Sequence, residues 1–485
     1  MFRMFTTSIG LLLRSLLLNI LLPRVAGILF VRLIFGTKRT WRLLHLLARF
    51  IGVGVVAHWL FNLQFIRFGV GVGEYLLLLV TLLAAMAIKL SVTKQSITNY
   101  LHTLRMSLVR EEIKTSYTSL SRIEKILTRL AGWLSLGFVV TSFVFTTNFP
   151  TYADDSFWNR NRPIINILHD GGVHLFGAQD EILARGRLGY PIHIPIYKSL
   201  IAGLQGGYND IYVNLFQRLC LLFAIGFISI VTWDKTKNIL WTVLPAGLIC
   251  SLPLVFIHTV EGYHDLPVTL YAVVALRFFY SYLQTRDLSF LTWGLLVGFI
   301  LSYLKIEGLI IYFPAIVLTL LGILLREGTL WDRLKAFFTN KKSLLLTGVY
   351  LLFFLIPFQI VRMIHGLWFN PSSLESEEVL DQTVHREIFK QFKPIFFQED
   401  NYGVALIIVV FSLYMLVRFL KKRQYTAALL VVTPLVVFVL FTLVFLLTNN
   451  YQWVLNQTTV NRVYTMCFVI LFAFIWVSLD EYAKS

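Results

Sequence analysis

Long apolar runs separated by short polar segments dominate the chain. A helix that crosses a membrane needs roughly 20 mostly apolar residues, and runs of that kind recur along the sequence. The predicted spans are residues 46–66, 72–91, 131–148, 209–232, 239–258, 266–284, 290–304, 308–325, 343–364, 404–420, 426–448 and 463–480. The stretch 2–35 is apolar but interrupted by Arg14, Arg24 and Arg32, which is typical of one imperfect span or of two interfacial helices.

The composition agrees with a membrane protein. Hydrophobic residues make up 57% of the chain and charged residues only 14%, and the mean hydropathy is +0.72. A soluble protein of 485 residues could not hide so much apolar surface from water. The formal net charge is +17, but many of the basic residues lie in short loops beside apolar runs, which favours a membrane over nucleic acid as the partner.

The charged loops predict the orientation in the membrane. Basic residues cluster in loops on one side, above all at 93–130 and 326–342, and the excess of Lys and Arg marks the cytoplasmic side. The opposite side receives the loops 149–208, 366–402 and 449–462 and a short turn at 261–265. We therefore expect any chemistry at the outer face.

The first outer loop holds two groups of candidate residues. Asp154 and Asp155 follow directly after a span, and a partly desolvated carboxylate there could act as a general base, or could be a solvated interfacial acid. Tyr190 and His193 lie around two prolines and could bind a substrate at the water–lipid boundary, or could belong to an interfacial helix anchored by aromatic residues.

A second candidate site is the turn between two predicted spans that contains Glu261, His264 and Asp265. Three ionisable groups within five residues could form an acid/base cluster or bind a divalent ion, and a simple polar turn is the alternative. Their spacing fits no specific metal pattern, so we expect neither a metal nor another cofactor.

Two further positions carry charge at the edges of predicted spans. Lys305 and Glu307 lie between apolar runs and could form a structural ion pair, or Lys305 could contact a phosphate. Arg462 begins the last span, where an arginine either binds phosphate in a bidentate manner or extends towards the interface.

The order of these motifs resembles the GT-C superfamily of membrane glycosyltransferases, and is most similar to bacterial relatives of protein O-mannosyltransferases and aminoarabinose transferases. The similarity spans about residues 131–480 and is carried by Asp154-Asp-Ser-Phe-Trp158, Tyr190-Pro191, Gly262-Tyr-His-Asp265-Leu-Pro267, Lys305-Ile-Glu307-Gly308 and, more loosely, Thr458-Thr-Val-Asn-Arg462.

The resemblance implies a fold and a division of the chain. Residues 131–485 would form a GT-C-like bundle of about 10 core spans, with interfacial helices in the first outer loop, 149–208. Residues 1–130 would be an N-terminal membrane extension of about 2–3 spans with a cytoplasmic amphipathic segment.

The resemblance also implies a function. The protein would transfer a sugar, with inversion, from a polyprenyl-phosphate donor to a glycan, lipid or protein acceptor on the outer face of a bacterial plasma membrane. Asp154, the first of the acidic pair, would be the base, although Asp155 is an alternative. Lys305 and Arg462, helped by His264 or Tyr190, would offset charge on the leaving phosphate. The alternative function is a transporter or flippase for lipid-linked sugars.

Overall fold

The protein is all-α in the computed structural model, which describes residues 2–35, 41–64, 68–93, 110–149, 161–173, 191–364, 382–397, 404–448, 452–455 and 458–483. No β-strand occurs in these ranges. The helices, in chain order, are α1 (Phe2–Phe35), α2 (Trp41–Gln64), α3 (Val72–Thr93), α4 (Arg110–Ser119), α5 (Arg122–Asn148), α6 (Arg162–Asp170), α7 (His193–Gln205), α8 (Asp210–Val213), α9 (Leu215–Thr236), α10 (Ile239–Cys250), α11 (Pro253–Val260), α12 (Asp265–Thr285), α13 (Leu288–Leu304), α14 (Phe313–Arg326), α15 (Leu330–Thr339), α16 (Lys341–Tyr350), α17 (Ile356–Ile364), α18 (Gln382–Phe397), α19 (Val404–Lys421), α20 (Tyr425–Leu447), α21 (Gln452–Leu455) and α22 (Thr458–Ala483).

Many of these helices are long and apolar enough to cross a membrane. Within the described ranges eight helices meet that test, and α10 with α11 would count as a ninth if the pair is one span. Two short π-helical segments also occur: Leu351–Leu355 joins α16 to α17 without a loop, and Gly308–Tyr312 leads directly into α14. The expected all-α, multi-pass membrane protein is confirmed.

The predicted spans coincide in position with helices, with two informative differences, but the number of spans stays a prediction because 46–66, 290–304, 404–420 and 463–480 are not among the helices that meet the test. The predicted span 239–258 is broken after Cys250, and α10 and α11 meet at an angle of 76°. Pro253 is the first residue of α11, and a proline there disfavours a helical conformation of the residue before it. At the N-terminus, α1 is one continuous helix with Pro23 inside it, so the stretch forms one helix and not two.

Helices α1 and α2 pack against each other at two glycines. A Cβ atom on Gly27 would lie 1.6 Å from the carbonyl oxygen of Ala48, and one on Gly52 would lie 1.6 Å from that of Pro23. Only glycine allows backbones to approach this closely, as is common where membrane helices associate. Side chains of α1, α2 and α3 belong to the same hydrophobic core as α12, α13 and α22. The division of the chain at residue 130 stays a prediction.

Candidate functional site

The centre of the candidate site is a buried lysine between two carboxylates. The ammonium nitrogen of Lys305 lies 2.8 Å from Oδ1 of Asp265 and 2.8 Å from Oε1 of Glu307. The lysine side chain is 4% exposed and that of Asp265 is 5% exposed, so water screens this interaction poorly. We call Asp265, Lys305 and Glu307 the Lys305 cluster.

Local chain geometry explains how the cluster forms. Asp265 is the first residue of α12, where a carboxylate is stabilised by the positive end of the helix dipole. Helix α13 ends at Leu304, and Lys305 has an extended backbone. The chain then folds back tightly, since a Cβ atom on Gly308 would lie 2.2 Å from the carbonyl oxygen of Leu301. Glycine is therefore required at that position, and this contact helps to set the place of Lys305.

The turn before α12 carries a second layer of polar groups around the cluster. Nδ1 of His258 lies 3.8 Å from Oδ2 of Asp265. The Arg462 guanidinium from α22 lies over the Tyr263 ring, 4.4 Å from its centre. Gln217 of α9 donates from Nε2 to the carbonyl oxygens of Gly262 and Tyr263, at 3.1 and 3.4 Å. Three separate parts of the chain therefore hold one turn.

A hydrogen-bond network adjoins this turn. Asp210 accepts from the amide of Asn161 at 2.9 Å, from the Tyr208 hydroxyl at 2.8 Å and from the amide of Asn214 at 3.3 Å. Lys198 donates to Oδ1 of Asn214 at 3.0 Å. We call these five residues the Asp210 network. Burial, followed by the neighbouring Asp210 carboxylate, raises the pKa of the Tyr208 phenol well above its ordinary value, so the phenol stays protonated and remains a donor.

The network and the turn are in direct contact. A Cβ atom on Gly262 would lie 3.1 Å from Oδ1 of Asn161 and 3.4 Å from Oδ1 of Asn214. The first outer loop therefore returns to the candidate site at Asn161.

His193, a predicted binding residue, occupies a separate buried pair. Its Nε2 lies 2.7 Å from Nδ1 of His58 on α2, and the other ring nitrogen of His58 lies 2.9 Å from the carbonyl oxygen of Phe354. The Tyr303 ring is 4.6 Å from the His193 ring, centre to centre. Because Tyr303 precedes Lys305 by two residues, the histidine pair lies beside the chain segment that positions the cluster.

Several acceptor atoms of the site are buried without a hydrogen bond. Among the described residues, Oδ2 of Asp265, Oε2 of Glu307 and Oε1 of Gln217 have no hydrogen-bond partner. Buried polar groups in folded proteins are nearly always satisfied, so such atoms call for an explanation such as a bound ligand or water. Three acceptors around one turn suit a ligand rich in hydroxyl groups.

The structure brings together the predicted residues that are distant in sequence. Glu261, His264 and Asp265 are all buried in the turn, and Lys305, Glu307 and Arg462 reach the same region from other helices. Asp154, Asp155 and Tyr190 lie outside the described residues, so their predicted roles stay predictions. The part of the chain that the structure describes holds no group of three His, Cys, Asp or Glu side chains arranged for a metal ion.

Sequence reasoning did not single out three groups that contribute here. His258, Gln217 and Asn214 lie inside or at the edge of apolar runs. A polar residue within a membrane span is costly and usually functional, so that signal was available for His258 and Gln217. The role of Asn214 depends on Lys198 and Asp210, whose arrangement no periodicity indicates.

No protein-family model matches the chain, and neither a curated protein nor a solved structure matches it.

Proposed function

We propose that the protein is a membrane glycosyltransferase that uses a polyprenyl-phosphate-linked sugar as donor. The acceptor is a glycan, lipid or protein on the extracytoplasmic face of a bacterial plasma membrane, and no metal is required. One observation carries the proposal: charged and hydrogen-bonding groups from five separate parts of the chain converge on the Glu261–Asp265 turn and leave buried acceptors free for hydroxyl groups.

The position of the first outer loop supports Asp154 or Asp155 as the base. Asn161 contacts the turn and follows Asp155 by six residues. An extended chain of that length spans at most about 20 Å. The length of the intervening chain is therefore compatible with a base from the acidic pair acting on a sugar held at the Lys305 cluster.

The proposed reaction is a single displacement. Asp154 removes the proton from the acceptor hydroxyl while the oxygen of that hydroxyl forms a bond to the anomeric carbon. The bond from that carbon to the phosphate oxygen breaks, and the polyprenyl phosphate leaves with the electron pair. Arg462 would offset the charge that develops on the phosphate. Lys305 is already neutralised by two carboxylates, so in this scheme it positions them as acceptors for the sugar hydroxyls.

An apolar crevice offers a place for part of the lipid tail. It has a volume of about 170 Å³ and is lined by side chains of α18, α19, α20 and α22, namely Phe396, Leu406, Val409, Pro434, Leu435, Phe438, Cys467, Phe468 and Leu471. Its lining is almost wholly apolar, which suits an isoprenoid chain. Helix α22 also carries Arg462, so one helix would contact both the tail and the phosphate.

We further propose a GT-C-like bundle for the arrangement of the spans. In this scheme residues 131–485 form the core of about 10 spans, and α1–α3 form the extension. The shared core of these two parts implies that the extension supports the catalytic bundle and is not an independent unit.

A transporter or flippase of lipid-linked sugars is the second candidate. The 76° break between α10 and α11 favours it, because transporters often bind substrates at broken helices near the membrane midplane. The cluster itself favours the transferase, since Asp265 begins α12, Lys305 follows the end of α13, and Arg462 is near the start of α22. Groups at helix ends belong to one face of a bundle.

Reconstitution into liposomes with a radiolabelled polyprenyl-phosphate sugar tests the proposal. Wild-type protein is expected to transfer label to an acceptor extract, and Asp154→Asn is expected to lower the rate by at least about 100-fold, with Asp155→Asn as the matched control. Mass spectrometry of glycolipids and envelope polysaccharides from cells with and without the protein identifies the product.

Two outcomes would contradict the transferase. Unchanged glycans with an altered distribution of the lipid-linked sugar across the bilayer would indicate a flippase. Full transfer by both the Asp154→Asn and the Asp155→Asn variants would exclude the acidic pair as the base.

A further inference from the structure

Arg218 is a buried cation whose hydrogen-bonding capacity is unused. The residue is 1% exposed. Within the described part of the chain, none of its three guanidinium nitrogens has a hydrogen-bond partner. Buried donors without an acceptor are unfavourable, and such groups in folded proteins call for an explanation.

Two other buried cations of the bundle, Lys305 and Arg49, have hydrogen-bond acceptors. Lys305 has two carboxylate partners. Arg49 donates from Nε to the carbonyl oxygen of Asn19 at 3.2 Å and lies over the Phe223 ring at 4.4 Å. The Arg218 guanidinium lies 5.9 Å from the centre of the Phe143 ring, and the Asp210 carboxylate interacts with it electrostatically. Lys305 and Arg49 therefore each have at least one hydrogen-bond acceptor, whereas the described residues provide none for the Arg218 guanidinium.

The position of Arg218 connects it to the candidate site. Asp210, Asn214 and Arg218 follow one another at intervals of four residues, which places them on one face of the helical segment 210–236. Gln217, the preceding residue, donates to the turn before Asp265. Arg218 thus lies about one helical turn beyond Asn214 on the face that carries the Asp210 network, and this network contacts the Glu261–Asp265 turn through Asn161 and Asn214.

The guanidinium group indicates the class of ligand. Its planar array of five donors matches the oxygens of a phosphate in a bidentate arrangement. Phe143 lies on α5 between Val140 and Val144, which are 52% and 56% exposed on the lipid-facing surface of the bundle. An anion that reaches Arg218 past this helix would therefore come with a lipid.

We propose that Arg218 binds the phosphate group of a lipid substrate. The identification of that lipid as the sugar donor rests on the proposed transferase function. In this arrangement Arg218 neutralises the phosphate, while the free acceptors of Asp265, Glu307 and Gln217 bind the sugar. The phosphate oxygens would supply the acceptors that the Arg218 guanidinium lacks among the described residues.

Calorimetric titration of the full-length protein in detergent with farnesyl phosphate tests the assignment. Arg218→Gln is expected to weaken binding by about 10- to 100-fold, and Arg218→Lys is expected to lie between this variant and the wild type because it keeps the charge but loses the bidentate geometry. Arg277→Gln, in the second half of α12, is the matched control and should bind like the wild type. Farnesol and inorganic phosphate are the ligand controls.

The stability of the empty protein gives a second readout. Replacement of a structural arginine lowers the Tm, whereas replacement of an unpaired buried charge raises it. We expect Arg218→Gln to raise the Tm by a few degrees in the absence of ligand and to abolish the further rise that farnesyl phosphate causes in the wild type.

Three results would overturn the assignment. The first is a wild-type protein that does not bind farnesyl phosphate, and the second is an Arg218→Gln variant that binds farnesyl phosphate as tightly as the wild type. The third is inorganic phosphate that binds the wild type as tightly as farnesyl phosphate does, which would assign the site to the free ion. Binding is measured without turnover. Absence of sugar transfer would therefore contradict the transferase and leave the Arg218 assignment intact. Undiminished binding by Arg218→Gln would contradict the Arg218 assignment and leave the transferase intact.

Discussion

Helices α5 and α12 are both apolar enough to cross a membrane, yet they occupy opposite environments. Of the most apolar stretch of α12, 94% of the residues are buried inside the protein, compared with 17% for α5. Helix α12 begins with Asp265 and buries polar side chains such as Thr269 and Ser281, whereas α5 presents large apolar side chains to lipid. Because α5 also buries polar side chains, namely Thr128, Ser142 and Thr146, neither its hydropathy nor its polar residues alone distinguish a peripheral span from a central one.

Lys305→Met should have the largest effect, because it strands two carboxylates beside α12. Removing one partner of a buried ion pair typically costs about 3–5 kcal/mol of the free energy of unfolding. Titration with sodium dodecyl sulfate in mixed micelles measures this quantity. The double variant Lys305→Met/Asp265→Asn should be more stable than Lys305→Met alone, since one stranded charge is neutralised. An unchanged stability of Lys305→Met would show that the cluster does not hold α12 in place.

Matched leucines on the two helices give the most direct comparison. Leu270 on α12 is 1% exposed, and Leu134 on α5 is 46% exposed. Leu270→Ala leaves a cavity in packed protein and should cost about 2–5 kcal/mol in the same titration. Leu134→Ala faces lipid, which fills the space, and should change the free energy of unfolding by less than about 0.5 kcal/mol. Equal losses would contradict the difference in environment.

Gly308→Ala tests the tight fold that places Lys305 against α12. The new Cβ atom would lie 2.2 Å from the Leu301 carbonyl oxygen. The backbone shift that removes this clash should lower the free energy of unfolding by about 1–3 kcal/mol. Gly322→Ala is the control, because a Cβ atom there has no neighbour within 4 Å and the residue itself is exposed. The control should be neutral or slightly stabilising. Destabilisation by both variants would mean that the Gly308 contact is not special.

Ser121→Ala addresses the start of α5 and should have the smallest effect. The Ser121 hydroxyl accepts from the Glu124 amide at 3.3 Å, and the Glu124 carboxylate accepts from the Ser121 amide at 2.8 Å. Loss of such a cap costs about 1 kcal/mol. Circular dichroism during thermal unfolding measures the effect. Ser121→Asp keeps an acceptor and should unfold like the wild type, and a loss with this variant as well would exclude the cap as the cause.

Much of the fold could be predicted from the sequence, because bilayer thickness sets the length of apolar segments. The predicted span 266–284 differs from α12 by one residue at each end. The break in the predicted span 239–258 was missed because hydropathy averages over a turn of helix. The π-helical segments Gly308–Tyr312 and Leu351–Leu355 were also missed, since they depend on packing rather than on residue type.

The candidate site, like the fold, could be predicted from the sequence only in part. Residue type and position at span ends singled out Asp265 and Lys305, but no periodicity relates two residues that are 40 positions apart. Their contact follows from the packing of α12 against α13. Arg218 was overlooked because an arginine in an apolar run was taken as part of a span. Asp154, Asp155 and Tyr190 stay predictions.

The bend between α10 and α11 also has a consequence for biosynthesis. Residues 239–260 are apolar enough, taken together, to pass as one membrane segment. A segment of this kind inserts as a unit, and the side-to-side association of helices follows insertion. The 76° angle would then arise at the association stage, when the segment packs against its neighbouring helices. Assembly of the bundle, and not insertion, would bring the turn that follows α11 into contact with Gln217, Lys305 and Arg462.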